Sequence, residues 1–242
     1  MAPAVAQLVK SVLMETVTRM RLVGGNLALD FVNTRVGPPD AAPDDDVLTG
    51  YPELIAWGKY AGDLTDAEAT ALRRRARVDA AGADTTFLRA LHTRDYLDGI
   101  FQGLAAGRSP DPTALARLRD DEADALAHAR LDQDSGFAWT WRDDHSLTRP
   151  LRPVVHAAIT LLTTATTKRI KRCEACSFVF YDESKNRSRR WCSMEDCGTA
   201  EKMRRYVAAR RSRLIRERSS NATPRRPSGA PSGSTAPSAD ST

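Results

Sequence analysis

The chain has 242 residues, 41% hydrophobic but only 6% aromatic, enough for one medium domain plus a small one around a core mainly of Leu, Ala and Val. No apolar run approaches the length of a membrane span, so no membrane partner is expected. The net charge of +5 is unevenly divided: residues 168–226 carry 18 Lys and Arg against 7 Asp and Glu, while the first 167 carry 18 basic and 23 acidic. A neutral or acidic body followed by a basic segment is the charge layout of a nucleic-acid binder.

In chain order, residues 1–19 are expected to be a disordered extension. Lys10 breaks their mildly apolar stretch and no small-residue cleavage site follows, which speaks against a secretory signal. Residues 20–34, M-R-L-V-G-G-N-L-A-L-D-F-V-N-T, read as a short strand, a glycine turn and a helix capped by Asn26. Asp30 and Asn33 share one face of that helix. They either line a pocket or serve capping and buried hydrogen bonds, the commoner use. Three prolines and four aspartates make 37–46 an exposed loop. A helix over 51–60 starts near Pro52, with Leu54, Ile55 and Trp57 for packing, and T-D-A-E at 65–68 opens another to about Val78 through a capping box.

Leu88, Leu91, Leu97, Ile100, Phe101 and Leu104 recur near helical spacing and predict a helix over 84–105. A turn at 109–112 precedes a helix over 113–128, and F-A-W-T-W at 137–141 alternates as a strand does. An Ala- and Leu-rich helix over 153–166 ends at the basic K-R-I-K-R of 168–172. His92, His128, His145 and His156 are scattered and offer no shared metal site. No nucleophile elbow, Walker loop or dinucleotide fingerprint occurs. From 219 to 242 the Ser, Pro, Ala, Gly and Thr composition has no apolar period, as in a disordered tail.

The four cysteines of the chain, Cys173, Cys176, Cys192 and Cys197, fall in one stretch with spacing C-x2-C-x15-C-x4-C. Four thiolates complete a closed tetrahedral zinc site, and fifteen residues allow a hairpin that returns the chain to the metal. Disulfides and an iron–sulfur cluster are the other uses of four thiols. The lack of a secretory signal disfavours the first, and the flanking charges with an aromatic-rich hairpin disfavour the second. Phe178, Phe180 and Tyr181 should begin a strand that turns through S-K-N-R-S and returns as R-R-W-C. Ser193 and Asp196 then form a capping pair for a helix carrying Cys197 in its first turn. On that helix Met203, Val207 and Leu214 form a stripe that can pack on the hairpin. Lys185, Arg187, Arg189 and Arg190 in the turn, with Lys202, Arg204, Arg205 and Arg211 on the helix, are candidate nucleic-acid contacts.

The segment F-V-F-Y-D-E-S-K-N-R-S-R-R-W-C-S-M-E-D-C-G closely resembles the CGNR-type zinc finger, a treble-clef module at the C-terminus of bacterial proteins. L-A-L-D-F-V-N-T, the segment 51–57 and the helix before Cys173 resemble the ABATE domain that accompanies it. The likeness spans about 20–215 and implies a stress-induced transcription regulator. One departure stands out: the signature Cys-Gly-Asn-Arg reads Cys197-Gly198-Thr199-Ala200 here, losing an amide and a guanidinium.

The expected fold is α+β: a helix-rich ABATE-like domain with a small sheet over 20–167, then a treble-clef-like zinc finger over 168–218. The expected function is a cytoplasmic, non-enzymatic regulator that binds DNA through a four-cysteine zinc module. Its body would sense a small-molecule effector or form a homodimer. The alternatives are a zinc module that contacts RNA or an acidic protein surface, and an enzyme with a pocket near Asp30 and Asn33.

Overall fold

A computed structural model describes residues 17, 19–37, 45–133, 136–142 and 144–220, with side chains through Glu217. The expected extensions at 1–19 and 219–242 lie outside these residues except at 17, 19, 219 and 220, and most of the 37–46 loop also lies outside. The chain divides into two compact units, between Thr199 and Ala200.

Local capping chemistry sets the helices of the first unit. Helix α1, Leu27–Val32, starts where the Asn26 side chain accepts from the Ala28 amide at 2.9 Å. A two-residue antiparallel ribbon follows, β1 (Arg35–Val36) with β2 (Asp45–Asp46). Helix α2, Tyr51–Tyr60, places Pro52 in its first turn, where a missing N–H costs nothing. Helix α3, Asp66–Val78, has the full capping box: Glu68 N to Thr65 Oγ1 at 3.2 Å and Thr65 N to Glu68 Oε2 at 2.9 Å. Helix α4, Ala80–Ala105, begins four residues before its apolar period because Asp79 caps it through Gly82 N at 2.9 Å. Helix α5, Pro112–Ala127, is capped by Asp111.

The F-A-W-T-W strand is present as β4 (Ala138–Trp141). It pairs antiparallel with β3 (Ala129–Asp132), which sequence did not single out. Helix α6, Arg152–Thr164, packs on α1 and α5. The core lies among these helices, with Phe31, Leu29, Leu54, Ile55, Trp57, Leu97, Ile100, Phe101 and Leu118 fully buried. The Phe31 and Trp57 rings meet at 5.1 Å and 56°.

The basic run after α6 gives a correction. Ile170–Arg172 is strand β5, and it pairs antiparallel with β6, Val179–Tyr181, in register Ile170–Tyr181, Lys171–Phe180 and Arg172–Val179. R-R-W-C does not return as a strand, so the expected hairpin partner is replaced by the segment before Cys173. Alternation along the ribbon decides what it buries: Ile170 and Val179 join the body core, and Phe180 faces the cysteines. The short strand expected at 20–23 is absent as well. Residues 21–23 pair in no ladder, and the carbonyls of Val23 and Gly24 bond Arg189 and Tyr181 instead.

Past the cysteines, one wide π-type turn, Met194–Gly198, leads into α7, Thr199–Ser220, whose residues from Ala200 on are the described part of the second unit. Met203, Val207 and Leu214, the stripe expected to be packed, are each more than half exposed. The fold class is α+β, with small sheets in a helix-rich body and a four-cysteine segment after it. No described helix is long and apolar enough to cross a membrane.

Candidate metal centre and basic surface

Three local devices gather the sulfurs. Cys173 follows β5 and Cys176 precedes β6, and the knuckle between them closes through Cys173 N to Phe178 O at 2.8 Å. Cys192 arrives on a segment held by Glu174 N to Arg190 O at 3.1 Å and by the Arg189 side chain. Cys197 sits in the wide turn. Ser193 caps that turn by accepting from Asp196 N at 3.2 Å, as the S-M-E-D pattern predicts. The Asp196 carboxylate does not complete the box but pairs with Arg21 at 2.9 Å.

All four Sγ atoms lie within 4.8 Å of one another, and Cys176–Cys192 and Cys192–Cys197 are each 3.6 Å apart. A tetrahedron with metal–sulfur bonds of about 2.3 Å has edges of ~3.8 Å, so this donor set fits one four-coordinate ion. Cys173 and Cys192 are buried, Cys176 and Cys197 half-buried, and Phe180, Phe178, Trp191, Val23 and Ala175 pack around them. Ionisation of one thiol is favoured at the expense of the other three. Hydrogen bonds from Cys176 and Cys192 hold the Cys173 thiol far below its usual range. The bond to Cys173 in turn raises Cys176 to about 12 and raises Cys192. Burial, then the Cys173 charge, raises Cys197. Four thiolates this close need a cation among them.

The candidate contact residues separate into distinct groups. Arg189 belongs to the fold: its guanidinium donates to the carbonyls of Trp191 (3.1 Å), Val23 (3.0 Å), Tyr181 (3.5 Å) and Cys192, and stacks 4.3 Å over the Phe180 ring. Arg190 is exposed, pairs with Glu174 at 2.6 Å and lies over Trp191. Arg204 and Arg205 both reach Glu201, one turn earlier on α7. Lys185, Arg187, Lys202 and Arg211 are exposed, with no ion pair to another described residue. Arg187 adopts a left-handed conformation, φ 51°, at the tip of the turn. Lys171 and buried Asp182, unnoticed in the sequence, brace that turn: Lys171 Nζ meets Asp182 Oδ2 at 2.7 Å, and Asp182 accepts from Ser184 N and Arg189 N.

Asp30 and Asn33 serve the backbone. Asp30 accepts from Gly24 N at 2.7 Å, and a Cβ on Gly24 would come within 2.9 Å of the Asp30 backbone, so only glycine fits there. Asn33 donates to Val179 O at 2.8 Å and accepts from Val179 N at 2.9 Å. Sequence reasoning missed Arg21, which joins Glu195 at 2.6 Å as well as Asp196. A cavity of about 360 Å³ borders the sulfurs, walled by Val23, Val36, Val47 and Phe178 with Arg21, Asn33 and Asp45 at its polar side, so Asn33 lines a pocket as well as bonding backbone.

Fold and site together define a four-thiol metal module joined to a helical body. The family model described as "Putative stress-induced transcription regulator", ABATE, matches residues 25–165, and that described as "CGNR zinc finger" matches 169–211. The first covers more than half the chain, and the chain belongs to the ABATE family. No curated protein matches it.

Proposed function

We propose that this protein is a cytoplasmic transcription regulator that binds DNA, with one zinc ion on Cys173, Cys176, Cys192 and Cys197. The thiolates would fill the coordination sphere, so the ion would be structural, leaving no position for water or substrate. Zinc is favoured over the alternatives by spacing: sulfurs 3.6 Å apart are far beyond a disulfide bond of about 2.05 Å and too close to surround a multi-iron cluster. The knuckle set between β5 and β6, followed by the wide turn and the helix, supports the treble-clef reading.

The observation that carries DNA binding is α7. Lys202, Arg204, Arg205 and Arg211 are exposed along one helix whose described acids are Glu201 and Glu217. Lys185 and Arg187 add exposed charge at the turn beside the cysteines. Turns cross phosphates and helices enter grooves, so the first pair would position and the helix would read. A binder is favoured over an enzyme because Asp30 and Asn33 are engaged by backbone. A small-molecule effector, if the body senses one, has the 360 Å³ cavity beside the sulfurs, and homodimerisation remains part of the reading.

Fluorescence anisotropy of the zinc-loaded chain on duplex DNA tests this against RNA and an acidic polymer. For five or six phosphate contacts the log–log salt slope should be about −4 to −5 on B-DNA. Tighter binding to RNA, or a flat salt response, would transfer the function to the rival readings.

A further inference from the structure

The family motif L-A-L-D-F-V-N-T lies in the body, yet both ends of its segment grip the cysteine module. At one end Asn33, just past α1, bonds both backbone groups of Val179 at 2.8 and 2.9 Å. Val179 opposes Arg172 in the ribbon, and the next bonded pair is Cys173 with Phe178, so the amide sits one step from the knuckle holding Cys173 and Cys176. At the other end Gly24 O accepts from Tyr181 N at 2.8 Å. The outer edge of β6 is thus closed by a side chain and a loop carbonyl where a third strand would otherwise lie.

The second cysteine pair is held from the same segment. The Arg189 guanidinium spans Val23 O, at 3.0 Å, and the carbonyl of the ligand residue Cys192. Arg21 fastens the turn that carries Cys197, through Glu195 at 2.6 Å and Asp196 at 2.9 Å. Apart from the Arg189–Cys192 bond, these contacts span 146 to 175 residues of sequence, so no isolated cysteine segment could reproduce them.

We propose that Asn33 and Arg189 are positioning residues of the metal centre, so that metal affinity belongs to the body and the cysteine segment together. Neither would ligate the ion; each fixes backbone on which the cysteines are mounted, as outer-shell partners do. Coupling is reciprocal: what the body lends to metal affinity, the metal returns to body stability. The inference rests on the metal reading above.

The test uses the full chain. Zinc content is measured first, then zinc affinity by competition with a chromophoric chelator, and the thiolate-to-metal absorption of the cobalt form. Unfolding is followed by fluorescence with and without chelator. Asn33→Ala and Arg189→Lys should each weaken zinc binding 10–100-fold, the usual range for an outer-shell loss. Cobalt absorption should be altered and circular dichroism helicity kept. Leu118→Ala, in the body core, should lower the unfolding temperature and leave zinc affinity unchanged. Chelator should lower the unfolding temperature of the parent more than that of Asn33→Ala. Unchanged affinity in Asn33→Ala and Arg189→Lys, or an equal loss in Leu118→Ala, would overturn the proposal. If Asn33→Ala does not fold, Arg189→Lys decides, since it keeps the charge and loses only the planar fork. A parent that binds no zinc or cobalt would instead remove the metal reading itself.

Discussion

Some arginines of the first unit are buried, whereas those with described side chains in α7 are exposed. Before Thr199, Arg94, Arg149 and Arg152 are at most 6% exposed, each against carboxylate: Arg94 on Asp46, Arg149 on Asp63 and Glu68, Arg152 on Asp144. In α7, Arg204, Arg205, Arg210, Arg211, Arg213 and Arg216 are all exposed. A buried guanidinium holds distant segments in one geometry because its five donors demand planar acceptors. An exposed one is available to phosphate. Composition cannot separate the two uses, and Arg189 shows the difficulty: it sits in the most basic stretch and works as interior structure.

The largest test of this contrast is removal of the metal. Cys192→Ser should abolish stoichiometric zinc by metal analysis, because the remaining three thiols cannot close the tetrahedron. The effect should reach the body, lowering its cooperative unfolding temperature. It should leave no more than local change in α7, followed by limited proteolysis. An unaltered body transition would separate the cysteine segment from the rest of the first unit.

Next is Arg149→Ala. Asp63 would be left buried without its cation, a change that costs about 3–5 kcal/mol when a buried pair is broken. Urea denaturation should show a lower midpoint with an unchanged slope. A loss under 1 kcal/mol would mean that the interior arginines do not hold the fold.

The acids facing that interior give a pH signature. Burial raises Asp63 to about 7, against the pull of Arg149, and raises Asp30 to about 6, against the amides of Gly24 and Val23. Between about pH 4 and these values the folded chain keeps protons that the unfolded chain has released. Stability should therefore fall as pH rises through this window and level off above about 7. Asp30→Asn keeps an acceptor for Gly24 and cannot ionise. It should flatten the pH 4–6 part of the curve, by at most about 3 kcal/mol for a two-unit shift, read from urea midpoints at each pH. A parent curve that rises from pH 4 to 6 would contradict the assignment.

What sequence revealed follows the reach of each interaction. Asn26, the box at 65–68 and the Ser193 cap act within three residues, so those starts could be read directly. The four cysteines could be read from thiolate chemistry and spacing alone. β5 could not: three residues, two of them basic, look like the end of a helix, and only pairing with 179–181 makes them a strand. R-R-W-C reads locally as a return strand because nothing local shows that Arg189 takes the carbonyls a ladder would use. Asn33 and Arg21 act across more than 140 residues, beyond any local pattern.

The smallest expected effect, on stability, is in α7, and it separates that helix from the body most sharply. Arg213 and Glu217 pair one turn apart, both well exposed, and such pairs contribute about 0.3–0.5 kcal/mol. Arg211→Ala, with no ion-paired partner among the described residues, should change urea stability by less than about 0.5 kcal/mol. On DNA the same substitution should shallow the log–log salt slope by about 0.9, one released counterion, and weaken all sequences alike if Arg211 meets phosphate. If it meets a base edge, the loss should be about 1–3 kcal/mol on the preferred site alone. Ala200→Arg should tighten binding by restoring the positive charge that the CGNR signature carries after its glycine. Stability changes in α7 as large as that of Arg149→Ala, with DNA affinity untouched, would make this helix a structural element like the body and send the function to a protein partner.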